Sequence, residues 1–490
     1  MLSITLLLLC LWIFGKHNAF FSGLIRVFFF ISLGLFVLSS FYNSVSFADT
    51  ILLLSISCLT MALTGFILDL VSHNKIVQII VSIISVMSGM YIEKSFRLPD
   101  YQIVNTTSYD PDGEILVEID QNRISEISKI ITSKNKTIRS AFKPLSGEIT
   151  ELDDYYVIDV DKNDDVNQFM NDFKNMDGIK WIEPNEIIPF DFPQRTEIES
   201  MDKYGKLSND PSVNMQWHLS FLNMEQYYKF FISNNIQPQR AATLYILDTG
   251  IDGSHEDLPS DLTKNKDKQG HGTHCAGVAA AITNNNIGVA SMTPNKDWVK
   301  VKGIQVIGDI GFGTQKSIID GIIEATDNGA DVISLSLGGI TNQERQKAYN
   351  DAVKYANDKG AIVVVAAGNA NLDGKRYSPA NAENVITVTS VNEKSEKSGF
   401  SNHVENLKMG IAAPGEKILS TTPSNTYTAF SGTSMATPQV AGLIAVMKAI
   451  NPKLNTQTVY RILNSTGKET QNTLRTGKLI QPLDAIKALF

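Results

Sequence analysis

The sequence predicts an α/β fold built on a doubly wound, mostly parallel sheet, preceded by a small α+β domain and an α-helical transmembrane region. Three observations lead there. Apolar runs of membrane-crossing length follow one another up to about residue 92, short β-like runs mix with helical patterns from about Gly113 to Ile188, and apolar strands alternate with helical segments beyond Gln216. At 490 residues the chain has room for two or three independent units.

Residues 1–95 are expected to form about four helices, over roughly 1–15, 24–46, 50–70 and 76–92, with polar breaks such as Gly15-Lys16-His17-Asn18 and Ser72-His73-Asn74-Lys75 between them. A signal peptide is the alternative for the first run, but that run lacks a basic start and a small-residue cleavage site, and three more apolar runs follow it. Lys16, Arg26 and Lys75 flank the first and third breaks, whereas the second carries Asp49 and no Lys or Arg. The positive-inside rule then places both termini outside the cytoplasm of a multi-pass cell-membrane protein, with Lys94 and Arg97 opposing that orientation.

Residues 110–190 read as the small α+β domain. Its strands are Ile115-Leu116-Val117-Glu118-Ile119 and Tyr155-Tyr156-Val157-Ile158-Asp159-Val160, and Val166 to Lys174 has a helical pattern. Residues 191–213 are polar, carry Pro193 and Pro211 and lack periodicity, which suits a solvent-exposed linker open to proteolysis. Within residues 214–490, Thr243 to Leu247, Val299 to Val306, Val332 to Leu337, Ala361 to Ala366 and Val385 to Val391 read as buried strands. Helical runs such as Gln315 to Asn328 and Gln343 to Asp358 separate them, as in a parallel sheet covered on both faces.

Composition excludes some partners. A net charge of -8 without any Lys/Arg cluster argues against nucleic acid, whose phosphates need clustered cations. Of the three cysteines, Cys10 and Cys58 lie in apolar runs, which leaves Cys275 and no disulfide framework in the soluble part.

In parallel α/β sheets functional residues collect where strands end and helices begin. Three motifs fall there. Leu247-Asp248-Thr249-Gly250 puts an Asp at a strand exit, where a turn or cap role is the plain alternative. Gly270-His271-Gly272-Thr273-His274-Cys275 puts a His at a helix start; the two histidines suggest zinc, but a third ligand is lacking nearby. Ser431-Gly432-Thr433-Ser434-Met435-Ala436 opens a helix, where a lone Ser is ordinarily an N-cap. Together they supply what a serine nucleophile needs, an imidazole to take its proton and a carboxylate to orient the imidazole.

From about Asn209 to the C-terminus these motifs resemble the subtilisin-like serine proteases, or subtilases, and the strand Ile179-Lys180-Trp181-Ile182-Glu183-Pro184-Asn185 resembles the closing strand of the propeptide that precedes such domains. The resemblance implies that residues 110–190 are an inhibitory propeptide, with maturation cleavage in the linker, and that 214–490 are the peptidase domain. It assigns Ser434 as nucleophile, His271 as general base, Asp248 as orienting carboxylate and Asn369, in Ala366-Ala367-Gly368-Asn369, as oxyanion donor. Gly311, Phe312 and Gly313, and Ser336, Leu337 and Gly338, resemble the strand edges between which subtilases clasp an extended peptide, although each stretch is also readable as a simple turn. Asp257 matches a calcium ligand of many subtilases, and the loop around Asn285 resembles the one that completes that site; it is one residue longer, and an asparagine turn is the alternative.

The expected partners are therefore protein or peptide substrates, the chain's own propeptide and the lipid bilayer, with no cofactor for the chemistry and a structural calcium at most. Cys275 occupies a position held by cysteine in the proteinase K-like branch and reads as a small buried hydrophobe or as a thiol able to disturb the base. Two rival readings are a peptide-binding pseudoprotease, opposed by the intact triad, and a channel, opposed by the scarcity of ionisable residues in the spans.

Overall fold

Between its polar breaks the N-terminal chain is helical, as α1 (Leu2–Phe14), α2 (Ala19–Asn43), α3 (Phe47–Leu70) and α4 (Lys75–Phe96). The structure, a computed structural model, describes residues 2–14, 19–43, 47–71, 75–96, 113–144, 149–161, 164–190, 193–196, 208–259, 266–341 and 346–490. The chain divides into two units, Met1–Thr106 and Thr107–Phe490.

Inside the first unit polar side chains satisfy one another: Thr5 and Ser32 share a hydrogen bond of 2.8 Å, Thr64 Oγ1 donates to Ser85 Oγ at 3.0 Å and Gln78 Nε2 donates to Leu68 O at 3.1 Å. Large apolar side chains face outward, among them Leu59, Phe66 and Ile76. Among the described residues no helix is long and apolar enough to cross a membrane. The expectation of four spanning helices is corrected to that extent; α1, with 13 residues, is shorter than the ~20 a span requires.

The second unit opens with β1 (Ile115–Ile119), α5 (Ile124–Ser133), β2 (Thr137–Ser140), β3 (Tyr155–Asp159), α6 (Val166–Phe173) and β4 (Ile179–Pro184), whose strands form an antiparallel sheet in the order β2-β3-β1-β4. Strand alternation divides β1 between two cores. Ile115, Val117 and Ile119 pack with Ile127, Ile131 and Phe173 of the covering helices, while Leu116 packs with Tyr155 and Val157 on the other face, in a core shared with Ile318, Ile322 and Tyr349 of the larger domain. Then come β5 (Ile187–Pro189) and β6 (Gln194–Thr196).

The larger domain follows with α7 (Trp217–Phe221), α8 (Met224–Ser233), β7 (Ala242–Asp248), α9 (His271–Ala280), β8 (Val299–Gln305), β9 (Phe312–Thr314), α10 (Gln315–Asp327), β10 (Val332–Leu335), β11 (Gly339–Ile340), α11 (Lys347–Asp358) and β12 (Ile362–Ala366). Next are β13 (Tyr377–Ser378), β14 (Ile386–Val391), β15 (Gly410–Pro414), β16 (Ile418–Thr422), β17 (Thr426–Ser431), α12 (Thr433–Ile450) and β18 (Lys478–Leu479). Among the described residues seven of these strands make one parallel sheet, in the order β8-β7-β10-β12-β14-β15-β18. Burial on both faces explains the near-continuous Val/Ile runs. Leu244, Ile246 and Val364 pack with α9 and α12 on one face; Tyr245, Leu247, Val363 and Val365 pack with α10 and α11 on the other.

Two expectations need correction. The run Val332 to Leu337 leaves the ladder after Leu335, which frees Ser336 to Gly338 to line a recess. The stretch 191–213 is not free of pairing, because Gln194 to Thr196 form an antiparallel ladder with β17, Gln194 opposite Ser431. Polar composition hid this, since an edge strand that covers another edge needs no alternation.

Candidate active site

The C-terminal ends of β7, β10 and β12 and the N-terminal ends of α9 and α12 meet on one side of the sheet. Asp248 is the last residue of β7 and His271 the first of α9, and both are fully buried. Close approach of the two elements depends on Gly272, where an added Cβ would lie 2.0 Å from Gly250 O and 3.1 Å from Asp248 Cβ. His271 Nδ1 donates to Asp248 Oδ1 at 2.7 Å, and that oxygen also accepts the Thr249 N–H at 2.8 Å. Burial works against a proton on the imidazole, yet the Asp248 carboxylate and Cys275 together outweigh it and hold the His271 pKa well above its ordinary value. His271 Nε2 finds no hydrogen-bond partner among the described residues. In the neutral ring, with Nδ1–H held by Asp248, Nε2 carries the lone pair that can take a proton.

Ser434 sits in the first turn of α12, where backbone N–H groups lack intrahelical acceptors. Its hydroxyl donates to Ser336 O at 3.0 Å, and Ser336 Oγ donates back to Ser434 O at 2.9 Å. The serine is thus turned toward Ser336 rather than bonded to His271, and hydrogen bonds between such groups are often long or unmade before a substrate is bound. Asn369 follows β12 through a turn at Gly368, whose φ of +100° favours glycine. Asn369 Oδ1 accepts from both the N–H and the hydroxyl of Thr433, each at 2.9 Å. That fixes the amide so that its Nδ2 is the free donor, and Thr433 is a supporting residue that motif reading passed over.

Ser336, Leu337, Gly338, Gly368, Asn369, Tyr377 and Ser434 line one recess, closed on another side by Pro189 and Phe190. The latter two come from the C-terminal end of the stretch 110–190, beyond β4. That segment lies along β9, with Ile187 opposite Thr314, Ile188 opposite Gly313 and Pro189 opposite Phe312, and the Phe190 N–H donates to Gly311 O at 2.9 Å. The Phe190 ring stands edge-on to the His271 imidazole, with centroids 4.6 Å apart. Gly311, Phe312 and Gly313 therefore hold an extended peptide in this structure, and Ser336 to Gly338 line the recess beside it.

The neighbouring polar groups decide the metal alternatives. His274 Nε2 lies 3.0 Å from both Ile418 O and Thr428 O, so it carries a proton and donates; burial lowers its pKa to about 3. That closes the zinc reading of the two histidines. Among the described residues, the one group of metal-ligating side chains is Asp248, His271 and Cys275, whose first two members are already bonded to each other. Cys275 Sγ donates to Ser434 O at 3.5 Å and lies 3.9 Å from His271 Nδ1, and burial pushes its pKa up.

Asp257 and Asn285 lie elsewhere, joined by Asn285 Nδ2 donating to Asp257 Oδ1 at 2.8 Å. The Val289 N–H donates to the other oxygen at 2.9 Å. Asp257 is fully buried, and its burial, aided by Asp210, pushes its pKa up to about 7 despite those donors. Asp210, which takes the N–H groups of Asn284 and Asn285 at 2.9 and 3.0 Å, is a third oxygen donor that the sequence reading did not single out. Two buried carboxylates are hard oxygen ligands that suit a cation such as calcium, while Asn285 turns its Nδ2 to Asp257 and its Oδ1 accepts the Ile287 N–H at 2.8 Å.

The subtilase family model matches residues 239–478. Thermitase from Thermoactinomyces vulgaris is 42% identical over 216 residues, which are 42% of this chain and 74% of thermitase. Subtilisin DY from Bacillus licheniformis is 39% identical over 244 residues, 48% of this chain and 86% of its own. Among solved structures, fervidolysin from Fervidobacterium pennivorans, described as a keratinolytic enzyme related to subtilisin, superposes with a TM-score of 0.62 at 23% identity, over 76% of this chain and 61% of its own, and shows the fold.

Proposed function

This chain belongs to the subtilase family and is a serine protease, and on that premise we propose that it is made as a membrane-anchored zymogen that cuts itself within its own cleft before it cuts other proteins. In this reading Ser434 Oγ attacks the scissile carbonyl carbon while His271 Nε2 takes its proton. The oxyanion is received by Asn369 Nδ2 and the Ser434 N–H, a type of stabilisation that accounts for much of the rate in such enzymes. As the tetrahedral intermediate collapses, the C–N bond breaks and His271 returns the proton to the leaving amine. Water, deprotonated by His271 in turn, then releases the acyl group from Ser434. Asp248 keeps the imidazole in the tautomer this needs and stabilises its charged form. The observation that carries the reading is the buried hydrogen bond from His271 to Asp248 beside a serine at a helix start.

The α+β domain serves as propeptide. Support comes from its C-terminal extension, which lies on β9 up to Phe190 and on β17 from Gln194. The bond offered to Ser434 then falls between Phe190 and Gln194. N-terminal sequencing of the matured protein tests this: a new N-terminus within 191–194 supports it, whereas persistence of full-length protein in active cells, or a cut remote from the cleft, contradicts it.

Domain order implies that this cut frees the catalytic domain covalently from the N-terminal helices. Those helices are proposed to sit in the cell membrane with the protease on the extracytoplasmic side, which their outward-facing Leu, Ile and Phe side chains support, because so much apolar surface is costly in water. Release of the intact chain by alkaline carbonate washing would oppose that placement. Asp257, Asn285 and Asp210 are the residues proposed to hold a structural calcium, which would supply the positive charge their buried carboxylates lack.

A further inference from the structure

An amide can meet a developing oxyanion only if the backbone carrying it is held still, and around Asn369 one side chain binds that backbone on both sides. Asn402 lies in the loop between β14 and β15 and is fully buried. Its Nδ2 donates to Ala367 O at 2.8 Å, two residues before Asn369. Its Oδ1 accepts from the Ala370 N–H at 3.1 Å and the Leu372 N–H at 2.8 Å, one and three residues after. Its own N–H donates to Gly368 O at 2.9 Å. One side chain thus grips the backbone on both sides of Asn369. The fit is close: a Cβ at Gly368 would come within 2.4 Å of Asn402 Nδ2. Outside the turn, Lys397 Nζ donates to Asn371 Oδ1 at 2.8 Å and to Ser401 O at 2.5 Å, which ties the next residue of the turn to the strand of loop that carries Asn402.

We propose that Asn402 is a positioning residue for peptide hydrolysis, acting through Asn369 by fixing the backbone on which the oxyanion-binding amide is mounted. No other common side chain of this size offers both a donor for Ala367 O and an acceptor for two N–H groups. Aspartate lacks the donor, serine lacks the reach, and leucine would leave the buried Ala367 O and two half-buried N–H groups without this partner. The inference rests on the reading of Asn369 as oxyanion donor.

The test is a double-mutant cycle in the processed enzyme, with active sites counted by fluorophosphonate labelling and kcat and KM measured separately on a peptide substrate. Asn402→Ala is expected to lower kcat by about ten- to a hundredfold with KM unchanged within about twofold, because the contact it supports is made in the transition state. In an Asn369→Ala background the same change should lower kcat less than about threefold further, since the amide it positions is gone. An equal fall in both backgrounds, or a rise in KM with kcat intact, would overturn the proposal and leave Asn402 as packing. If Asn402→Ala does not fold, Asn402→Asp, which keeps the size and the acceptor, is read by the same criteria. If Asn369→Ala alone leaves kcat unchanged, the oxyanion assignment has failed, and the positioning role falls with it.

Discussion

Replacing Glu183 by Gln should make the grip of the α+β domain on the catalytic domain insensitive to pH between about 5 and 8. Glu183 lies on β4 and is almost completely buried in the docked state. Its carboxylate accepts from Trp181 Nε1 and Gln315 Nε2, each at 2.9 Å, and from the Ala348 N–H. Burial nevertheless dominates and, with Glu186 nearby adding to it, pushes the pKa from an ordinary 4.5 up to about 7. At the same interface Lys347 is engaged by Glu118 at 2.7 Å and Asp351 at 2.8 Å, and Tyr155 and Tyr349 lie there without charge.

Gln315 and Ala348 belong to α10 and α11, so the environment exists only when the two domains are docked. A carboxyl whose pKa is raised by docking takes up a proton on docking. The grip is then fullest below the undocked pKa, weakens as pH rises through the interval from 4.5 to about 7, and is flat above it. That interval corresponds to about 3 kcal/mol, and between pH 5 and 8 the inhibition constant should rise roughly 50- to 100-fold. Peptide hydrolysis by the processed enzyme, inhibited by residues 107–190 supplied as a separate chain, measures it at several pH values. A flat profile for the wild type, or an equal slope with Glu183→Gln, would refute the reasoning.

Further consequences concern the catalytic centre and the scaffold. Asp248→Asn should lower kcat by about 10⁴-fold with the fold retained, because the amide favours the wrong imidazole tautomer; the His271 pKa, followed by NMR, should fall, since the largest contribution that raises it against burial is then lost. Chelator should lower the melting temperature of the wild type, and Asp257→Asn should abolish that difference; an unchanged midpoint would remove calcium from the account. Gly272→Ala should destabilise the domain by about 1–3 kcal/mol in urea unfolding and slow hydrolysis, because the new Cβ must push Gly250 and Asp248 apart.

The parallel sheet and the residues of the site were legible for a physical reason: strands buried on both faces read as unbroken Val/Ile runs, and a parallel α/β sheet concentrates its chemistry at strand exits. Asp248, His271 and Ser434 stand at such junctions and carry short motifs around them. What was not legible depends on long-range pairing. The ladder from Ile187 to Thr314 and that from Gln194 to Ser431 join segments more than a hundred residues apart, and no local pattern marks them. Asn402 bonds backbone groups and Thr433 bonds the Asn369 amide, partners that only the fold supplies, and an Asn beside a serine in a loop looks like any turn. Asp210 stands in a polar stretch that resembles linker, and only the fold brings it beside Asp257. The rotamer of Ser434, turned to Ser336 O, is likewise a property of packing.

Labelling of the expressed chain with a fluorophosphonate probe, beside its Ser434→Ala variant, tests the central claim most directly. A labelled fragment that begins within residues 191–194 and disappears in the variant is the predicted result, because it reports the nucleophile and the cut made in its own cleft together. Absence of label on a folded sample freed of its α+β domain would contradict the account.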